Sequence, residues 1–483
     1  MRLASCLLLA ALFSGCTGNS PEAAPPVDGR TAPRGMRLEA LEIAPDGSGF
    51  TVRTTGAVIR ADLQARRITV GQRIGAERPV ATIEIGEDVA AVLSRAARTT
   101  AFELTWGGQS PGEPTVIVAG DSTIRLREIR TLGVTLDFAP LHVHVRPENG
   151  GLLAFDGTGG VVVIPPVAAP PSGQPPQLVG SRWTLAADAP LAELVIAACP
   201  PRPFDAVRAD QRVVHYSSHV RRYPSDAEIA AMARYARVLE LHSWVWKDRW
   251  VPGPGYPETY RNGEPGMRPP WDDLSYQPMD GRFVPEDEAE LLRVVRTAHA
   301  LGMKVAPYLG GALTRAEDVA PEARRIRDAY GVDGVYLDGM PGAPLEEAAV
   351  ALSIARELRA AFGNEGWLNF HNTHSGYFHP FVQAYMDFVT TSEHLAFDRW
   401  TSTTQGMSNA IGGLWPEVPY FFTDPALNQE DAIPLIRSIV DEGRPYGNRL
   451  LLLQGEGGQW RFWRLYFTPA ELEFALGYAA PGP

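Results

Sequence analysis

Gly331-Val332-Asp333-Gly334-Val335-Tyr336-Leu337-Asp338-Gly339 is a short run of strand-forming residues that ends on an acid. Val332, Val335, Tyr336 and Leu337 favour extended backbone, and Gly334 and Gly339 bracket the strand proper. Alternation along a strand puts Tyr336 and Asp338 on one face and Val335 and Leu337 on the other. An unpartnered carboxylate is costly to bury, so Asp338 is either satisfied structurally or open in a site. In parallel α/β folds, ligands bind at the C-terminal ends of strands, and Asp338 stands at such an end.

Working outward, the chain after residue 204 alternates strand-like and helix-like segments. Strands are expected at 212–217, 238–245, 303–309, 334–338, 366–371, 388–393, 418–423 and 449–454. Helices are expected at 225–237, 286–301, 315–330, 345–362, 377–387, 429–442 and 469–478, with 398–413 the one stretch of broken pattern. Eight such units predict an α/β domain over 205–483, a (β/α)8 TIM barrel, with a doubly wound open sheet as the alternative. Residues 36–204 read differently. Short alternating segments at 49–53, 57–63, 67–70, 115–119, 122–128, 141–145 and 160–164 are separated by Gly, Pro, Asp and Asn. They predict an all-β sandwich preceding the barrel. Strand-like sequence resumes at Arg182-Trp183-Thr184-Leu185 after the Pro-rich 165–176, so the boundary is set near 204. His142 and His144 are a strand-period pair read as structural.

Residues 1–16 read as an export signal, with Arg2 as the basic start, an apolar stretch over 3–13 and small residues before Cys16. Leu12-Phe13-Ser14-Gly15-Cys16 resembles a bacterial lipobox. That likeness implies lipidation of Cys16, a membrane anchor and a place in the cell envelope; plain secretion is the alternative. Residues 17–35, rich in Pro, Ala and Gly, are expected to be a flexible tether. With Cys6 and Cys16 assigned to the leader, Cys199 is the last of the 3 cysteines. One thiol supports neither a disulfide framework nor a cysteine metal centre, and Cys199 reads as a packed apolar residue. A formal net charge of -12 argues against nucleic acid as a partner. A neutral, polar ligand such as a glycan or oligosaccharide fits better.

The connection over 246–285 is long for a compact domain, which points to function. It carries Trp246, Trp250, Tyr256, Tyr260, Trp271 and Tyr276, rings suited to stacking on sugar faces, some of which pack the loop itself. Asp338 would end the fourth strand and Glu393 the sixth, so both carboxylates would meet at one mouth. Glycoside hydrolysis needs such a pair, one to attack the anomeric carbon or position water, the other to protonate the leaving oxygen. Hydroxyl-binding groups would come from His242, Trp244 and Trp246 at the end of the second strand, Tyr308 on the third and Tyr336 on the fourth. Asn369, His371 and Asn372 on the fifth, His394 after the sixth, Asp424 on the seventh and Gln454 on the eighth complete the set. Plainer roles stand beside these: helix capping for Asp338 and Asp424, ion pairing for Glu393. Asp333, at the other end of its strand, is expected to be stabilising.

Tyr336-Leu337-Asp338-Gly339, with Gly302-Met303-Lys304-Val305-Ala306-Pro307-Tyr308 on the strand before, resembles the melibiase-like clan of glycoside hydrolases. The α-galactosidase and endo-α-N-acetylgalactosaminidase groups belong to this likeness. It implies an amino-terminal β-sandwich, a barrel, Asp338 as nucleophile, an acid/base at Glu393 and retention of anomeric configuration. No cofactor is implied. Two positions depart from the pattern: Glu393 stands where the α-galactosidases carry Asp, and Tyr336 stands where many members carry Lys. Carboxyls about 5 to 5.5 Å apart would fit retention, and about 6.5 to 9.5 Å would fit inversion. His371, His374, His379 and His394, with His215 and His219, leave open a metal-dependent hydrolase. A carbohydrate-binding protein on an inactive barrel is the third possibility.

Overall fold

The structure is a computed structural model of the whole chain. It describes residues 36–87, 89–90, 97–100, 102–108, 112–145, 151–156, 158–165, 177–191, 193–202, 213–218, 222–234, 236–242, 245–246, 283–310, 316–338, 348–371, 384–391, 414–416 and 452–456. The expected leader, Cys16 and the expected tether lie outside these residues. Among the described residues no helix is long and apolar enough to cross a membrane.

The first part is antiparallel. Its strands are β1 (Leu38–Ile43), β2 (Gly49–Thr54), β3 (Ala57–Asp62), β4 (Arg67–Gln72), β5 (Arg78–Ile85), β6 (Ala97–Thr99), β7 (Glu103–Gly107) and β8 (Thr115–Ala119). They are followed by β9 (Thr123–Arg127), β10 (Ile129–Leu136), β11 (His142–Val145), β12 (Leu152–Asp156), β13 (Gly159–Ile164), β14 (Gln177–Val179), β15 (Arg182–Leu191) and β16 (Leu194–Cys199). One sheet runs β1-β2-β3-β4-β5-β10-β15-β14, the other β11-β12-β13-β16-β9-β8-β7-β6. Phe50, Val52, Ile59, Ile68 and Ile83 of the first share a core with Leu104, Trp106, Val116, Ile124 and Leu126 of the second. The Phe50 and Trp106 rings stack there at 4.5 Å.

The second sheet is apolar on both faces along β12, β13 and β16. Leu152, Ala154, Val161, Val163, Ile196 and Ala198 belong to the core shared with the first sheet. The alternate residues Leu153, Phe155, Val162, Ile164, Val195, Ala197 and Cys199 belong to the core of the parallel sheet that follows. Two-sided burial explains why these strands are continuous apolar runs without hydrophobic-polar alternation. Cys199 is a free, buried thiol, and burial pushes its pKa up.

The remaining strands are β17 (Val213–Ser218), β18 (Val238–Leu241), β19 (Lys304–Gly310), β20 (Gly334–Asp338), β21 (Trp367–His371), β22 (Phe388–Thr391), β23 (Leu414–Pro416) and β24 (Leu452–Glu456). They form one sheet in the order β23-β22-β21-β20-β19-β18-β17-β24, and every pair is parallel. Neighbours follow chain order, and the last strand lies beside the first.

Helices α1 (Asp226–Met232), α2 (Glu288–Ala300), α3 (Ala316–Tyr330) and α4 (Ala348–Phe362) connect the first five of these strands. A capping box of Ser225 and Glu228 starts α1, and the Asp287 carboxylate accepts from the Glu290 amide at the start of α2. Leu291, Val294, Val295 and Ala298 form the buried stripe of α2 at helical spacing.

The strand beside β22 is Leu414–Pro416; the strand expected at 418–423 lies outside the described residues. The helices expected at 429–442 and 469–478 also lie outside the described residues, and of 377–387 only 384–387 is described.

The stretch from Gly331 to Asp338 is specified residue by residue. Gly331, at φ 70°, takes the left-handed position that ends α3, and its amide donates to the Arg327 carbonyl at 2.8 Å. Asp333 accepts from the Val305 amide and contacts His299 Nε2, each at 2.8 Å, tying α2, β19 and β20 at the entry to the strands. Gly334 is required by close approach, since a Cβ there would stand 1.6 Å from the Trp367 carbonyl oxygen.

Candidate functional site

Register sets the site. Tyr308, Tyr336, Asn369 and Phe388 are successive partners across β19 to β22. Gly310, Asp338, His371 and Thr390 are the next register set, two residues further along each strand, or about 6.6 Å. At Asp338 and His371 the description is of backbone position alone.

Below these rows lies a buried polar network. Glu240, in the otherwise apolar Val238–Leu241, is fully buried. Its Oε1 accepts from Trp367 Nε1 at 3.1 Å and Asn369 Nδ2 at 2.9 Å. Its Oε2 lies 3.3 Å from His215 Nδ1, and His215 Nε2 lies 3.0 Å from His242 Nδ1. A buried carboxylate is costly without such partners, and here two strands, β17 and β21, supply them. The rings close over the network. Tyr336 meets His215 edge-on at 4.7 Å, and Tyr308 meets His242 at 5.6 Å. His242 is half-buried, whereas His215, Glu240 and Asn369 are buried.

Of the residues expected to bind substrate, the structure therefore gathers His242, Tyr308, Tyr336 and Asn369. Asp338 and His371 occupy adjacent register positions beside them. Gln454 is placed on β24 opposite Tyr216. Trp246 is engaged in packing: it is buried, its indole N–H donates to the Tyr308 carbonyl at 2.7 Å, and its ring packs on Phe283 and Tyr330. A bridge from Trp246 to Pro285, with the Glu286 amide on the Val245 carbonyl at 2.7 Å, clamps the two ends of the long connection together. Trp244, Asn372, Glu393, His394 and Asp424 lie outside the described residues, as do Trp250, Tyr256, Tyr260, Trp271 and Tyr276.

Glu240 was not among the expected site residues. Its signal is an acid in an apolar strand, two residues before His242 and hence on the same strand face. Among the described residues no group of three or more His, Cys, Asp and Glu is arranged to hold a metal ion. His219, His374, His379 and His394 lie outside the described residues.

Comparison with protein-family models and with curated proteins gives no match. Among solved structures the chain is similar to a GH113 β-mannanase of Alicyclobacillus acidocaldarius. Identity is 14%, covering 55% of this chain and 95% of that one, with a TM-score of 0.36. It is also similar to a broad-specificity endoglucanase of Clostridium longisporum, at 10% identity over 56% of this chain and 96% of that one, TM-score 0.36. A third is an α-amylase from Geobacillus thermoleovorans, at 10% identity over 55% and 77%, again with a TM-score of 0.36.

Proposed function

We propose that this chain is a glycoside hydrolase-like enzyme whose eight parallel strands close into a (β/α)8 barrel preceded by a β-sandwich. The strand order supports closure, because it is the cyclic order of a barrel written from β23 round to β24. The observation that carries the functional reading is the position of Asp338. It ends the fourth of the eight strands, in register with Gly310 and His371 and two residues beyond Tyr336.

In this reading Asp338 attacks the anomeric carbon and Glu393 protonates the leaving oxygen, then activates water for the second step. Tyr308, Tyr336, Asn369 and His242 form the polar and aromatic floor against which a sugar ring rests. Trp244, His371, Asn372, His394, Asp424 and Gln454 are proposed to complete the hydroxyl contacts. The substrate is an extracytoplasmic glycan, reached by a protein anchored through a lipid on Cys16. A panel of glycans with product detection tests the proposal. Release of new reducing ends supports it, and binding without turnover on every member would point to a carbohydrate-binding protein instead.

A further inference from the structure

Asp121 of the sandwich and Tyr385, 264 residues along the chain, share a hydrogen bond whose direction is fixed. A guanidinium only donates and a carboxylate only accepts. The Tyr385 hydroxyl therefore accepts from Arg356 Nε at 2.8 Å and gives its own hydrogen to Asp121. Both residues are buried, and burial holds the phenol protonated, well above its ordinary pKa. Arg356 Nη2 and Thr123 Oγ1 complete the grip on the carboxylate.

What this bond reaches is the entry to β22. Three residues further along α4, Arg359 donates from Nε to the Tyr385 carbonyl at 2.8 Å and from Nη2 to Asp387 Oδ2 at 2.7 Å. Asp387 is joined twice to β21: its amide donates to the Leu368 carbonyl, and its Oδ2 accepts from the Leu368 amide, each at 2.9 Å. Arg202, just after β16, donates to the Met386 carbonyl at 3.0 Å. Tyr385, Met386 and Asp387 are thus held from the sandwich side, from α4 and from β21 immediately before Phe388 opens β22. That start fixes the pairing of Asn369 with Phe388 and of His371 with Thr390, in the row that also holds Asp338. A slip of one residue would carry β22 about 3.3 Å along its axis and turn every side chain to the opposite face.

We propose that Asp121 and Tyr385 are positioning residues: through them the β-sandwich sets the register of β22 against β21, and with it the acid/base step assigned to Glu393, two residues past the end of that strand. In that step the Glu393 carboxyl gives its proton to the glycosidic oxygen as the bond from this oxygen to the anomeric carbon breaks and the Asp338 carboxylate bonds to the carbon. The clause on Glu393 rests on the glycosidase reading; the register clause does not.

The test is amide hydrogen exchange, read by mass spectrometry on full-length protein without substrate. Tyr385→Phe keeps the ring and removes the hydroxyl. Its peptides over Phe388–Thr391 lose protection about tenfold or more, whereas those over Gly334–Asp338 stay within about twofold of wild type. Unchanged protection in β22, or an equal loss in both strands, overturns the proposal. Wild-type protein decides if Y385F does not fold: as urea rises below the unfolding transition, peptides over 121–123 and 385–391 open as one unit, and separate openings overturn the proposal. In a second arm, kcat/KM is compared for a cleaved glycan and for the dinitrophenyl glycoside of the same sugar, whose leaving group departs as an anion without a proton. Y385F lowers the first about ten- to hundredfold and the second by no more than about threefold, a split that a merely structural lesion would not produce. Equal losses on the two substrates overturn the link to the acid/base step. Absence of turnover by the wild type on every glycan would sink the glycosidase reading while leaving the exchange result standing. Unaltered exchange in Y385F with normal turnover would do the reverse.

Discussion

The carboxylate of Asp121, in the turn after β8, is fully buried against the guanidinium of Arg356 on α4, 235 residues along the chain. It accepts from Arg356 Nε at 3.1 Å and Thr123 Oγ1 at 2.6 Å, and from the Tyr385 hydroxyl. Arg356 Nη1 also lies 3.4 Å from Glu103 on β7. Burial pushes the Asp121 carboxyl up, but Arg356, Thr123 and Tyr385 outweigh it and the net shift is down. This cluster ties the second antiparallel sheet to the helix between β20 and β21, and so to the strand that carries Asp338.

Removing the cation alone leaves a buried, uncompensated carboxylate. Arg356→Met is expected to cost about 3 to 5 kcal/mol. Urea unfolding followed by tryptophan fluorescence measures it, and a loss under about 1 kcal/mol would show that the pair does not hold the two parts together. Replacing both partners, with Asp121→Asn added, should recover part of the loss.

Gly334 and Gly331 separate two kinds of glycine requirement. Gly334→Ala drives a methyl into the Trp367 carbonyl, a backbone atom that cannot turn away, and should cost about 3 kcal/mol or more. Gly331→Ala meets only the Val295 Cγ1 methyl at 4.0 Å, an ordinary contact, but keeps a left-handed φ, and should cost about 1 kcal/mol. Thermal denaturation of the two variants ranks them, and the reverse order would contradict the β20–β21 geometry.

Trp246→Phe tests whether this ring packs the protein or meets the ligand. It removes the hydrogen bond to the Tyr308 carbonyl and should lower stability by about 1 to 3 kcal/mol. Glycan affinity should stay within about twofold of wild type, measured by calorimetry on folded protein. A large loss of affinity with unchanged stability would restore Trp246 to the binding surface.

Acid stability follows from two carboxylates. Burial raises the Asp156 carboxyl, but the Arg78 and Thr158 hydrogen bonds prevail and hold it at about 2. For Glu228, the Arg222 hydrogen bond leads in lowering it to about 2. Unfolded carboxyls titrate near about 4. Folded values below unfolded ones mean stability that is complete above about pH 4.5 and lost as pH falls toward about 2. The urea midpoint should drop across that window, and Glu228→Gln should flatten the drop while losing about 1 kcal/mol of helix capping at neutral pH. A slope unchanged by that substitution would remove Glu228 from the account.

Much of this architecture is legible in local pattern. The strand at Gly334–Asp338, the α2 stripe and the apolar role of Cys199 follow from propensity, periodicity and elimination. What escapes is set by distant partners. Glu240 looks like an isolated acid until Trp367 and Asn369, from a strand far along the chain, arrive on its oxygen. Gly334 reads as a strand boundary, yet the carbonyl of Trp367 is what excludes a side chain there. Trp246 carries the composition of a sugar platform, and only its bond to Tyr308 and its contact with Phe283 reveal packing. The three-residue β23 carries little strand signal of its own, and pairing with β22 is what places it.

The central claim is that Asp338 does the chemistry on a glycosidic bond. Its most direct test is turnover of a cleaved glycan by wild type and Asp338→Asn, with binding of the same glycan measured in parallel. The account predicts a fall in turnover of at least about a thousandfold with folding and affinity retained. Turnover equal to wild type in the folded variant would contradict it.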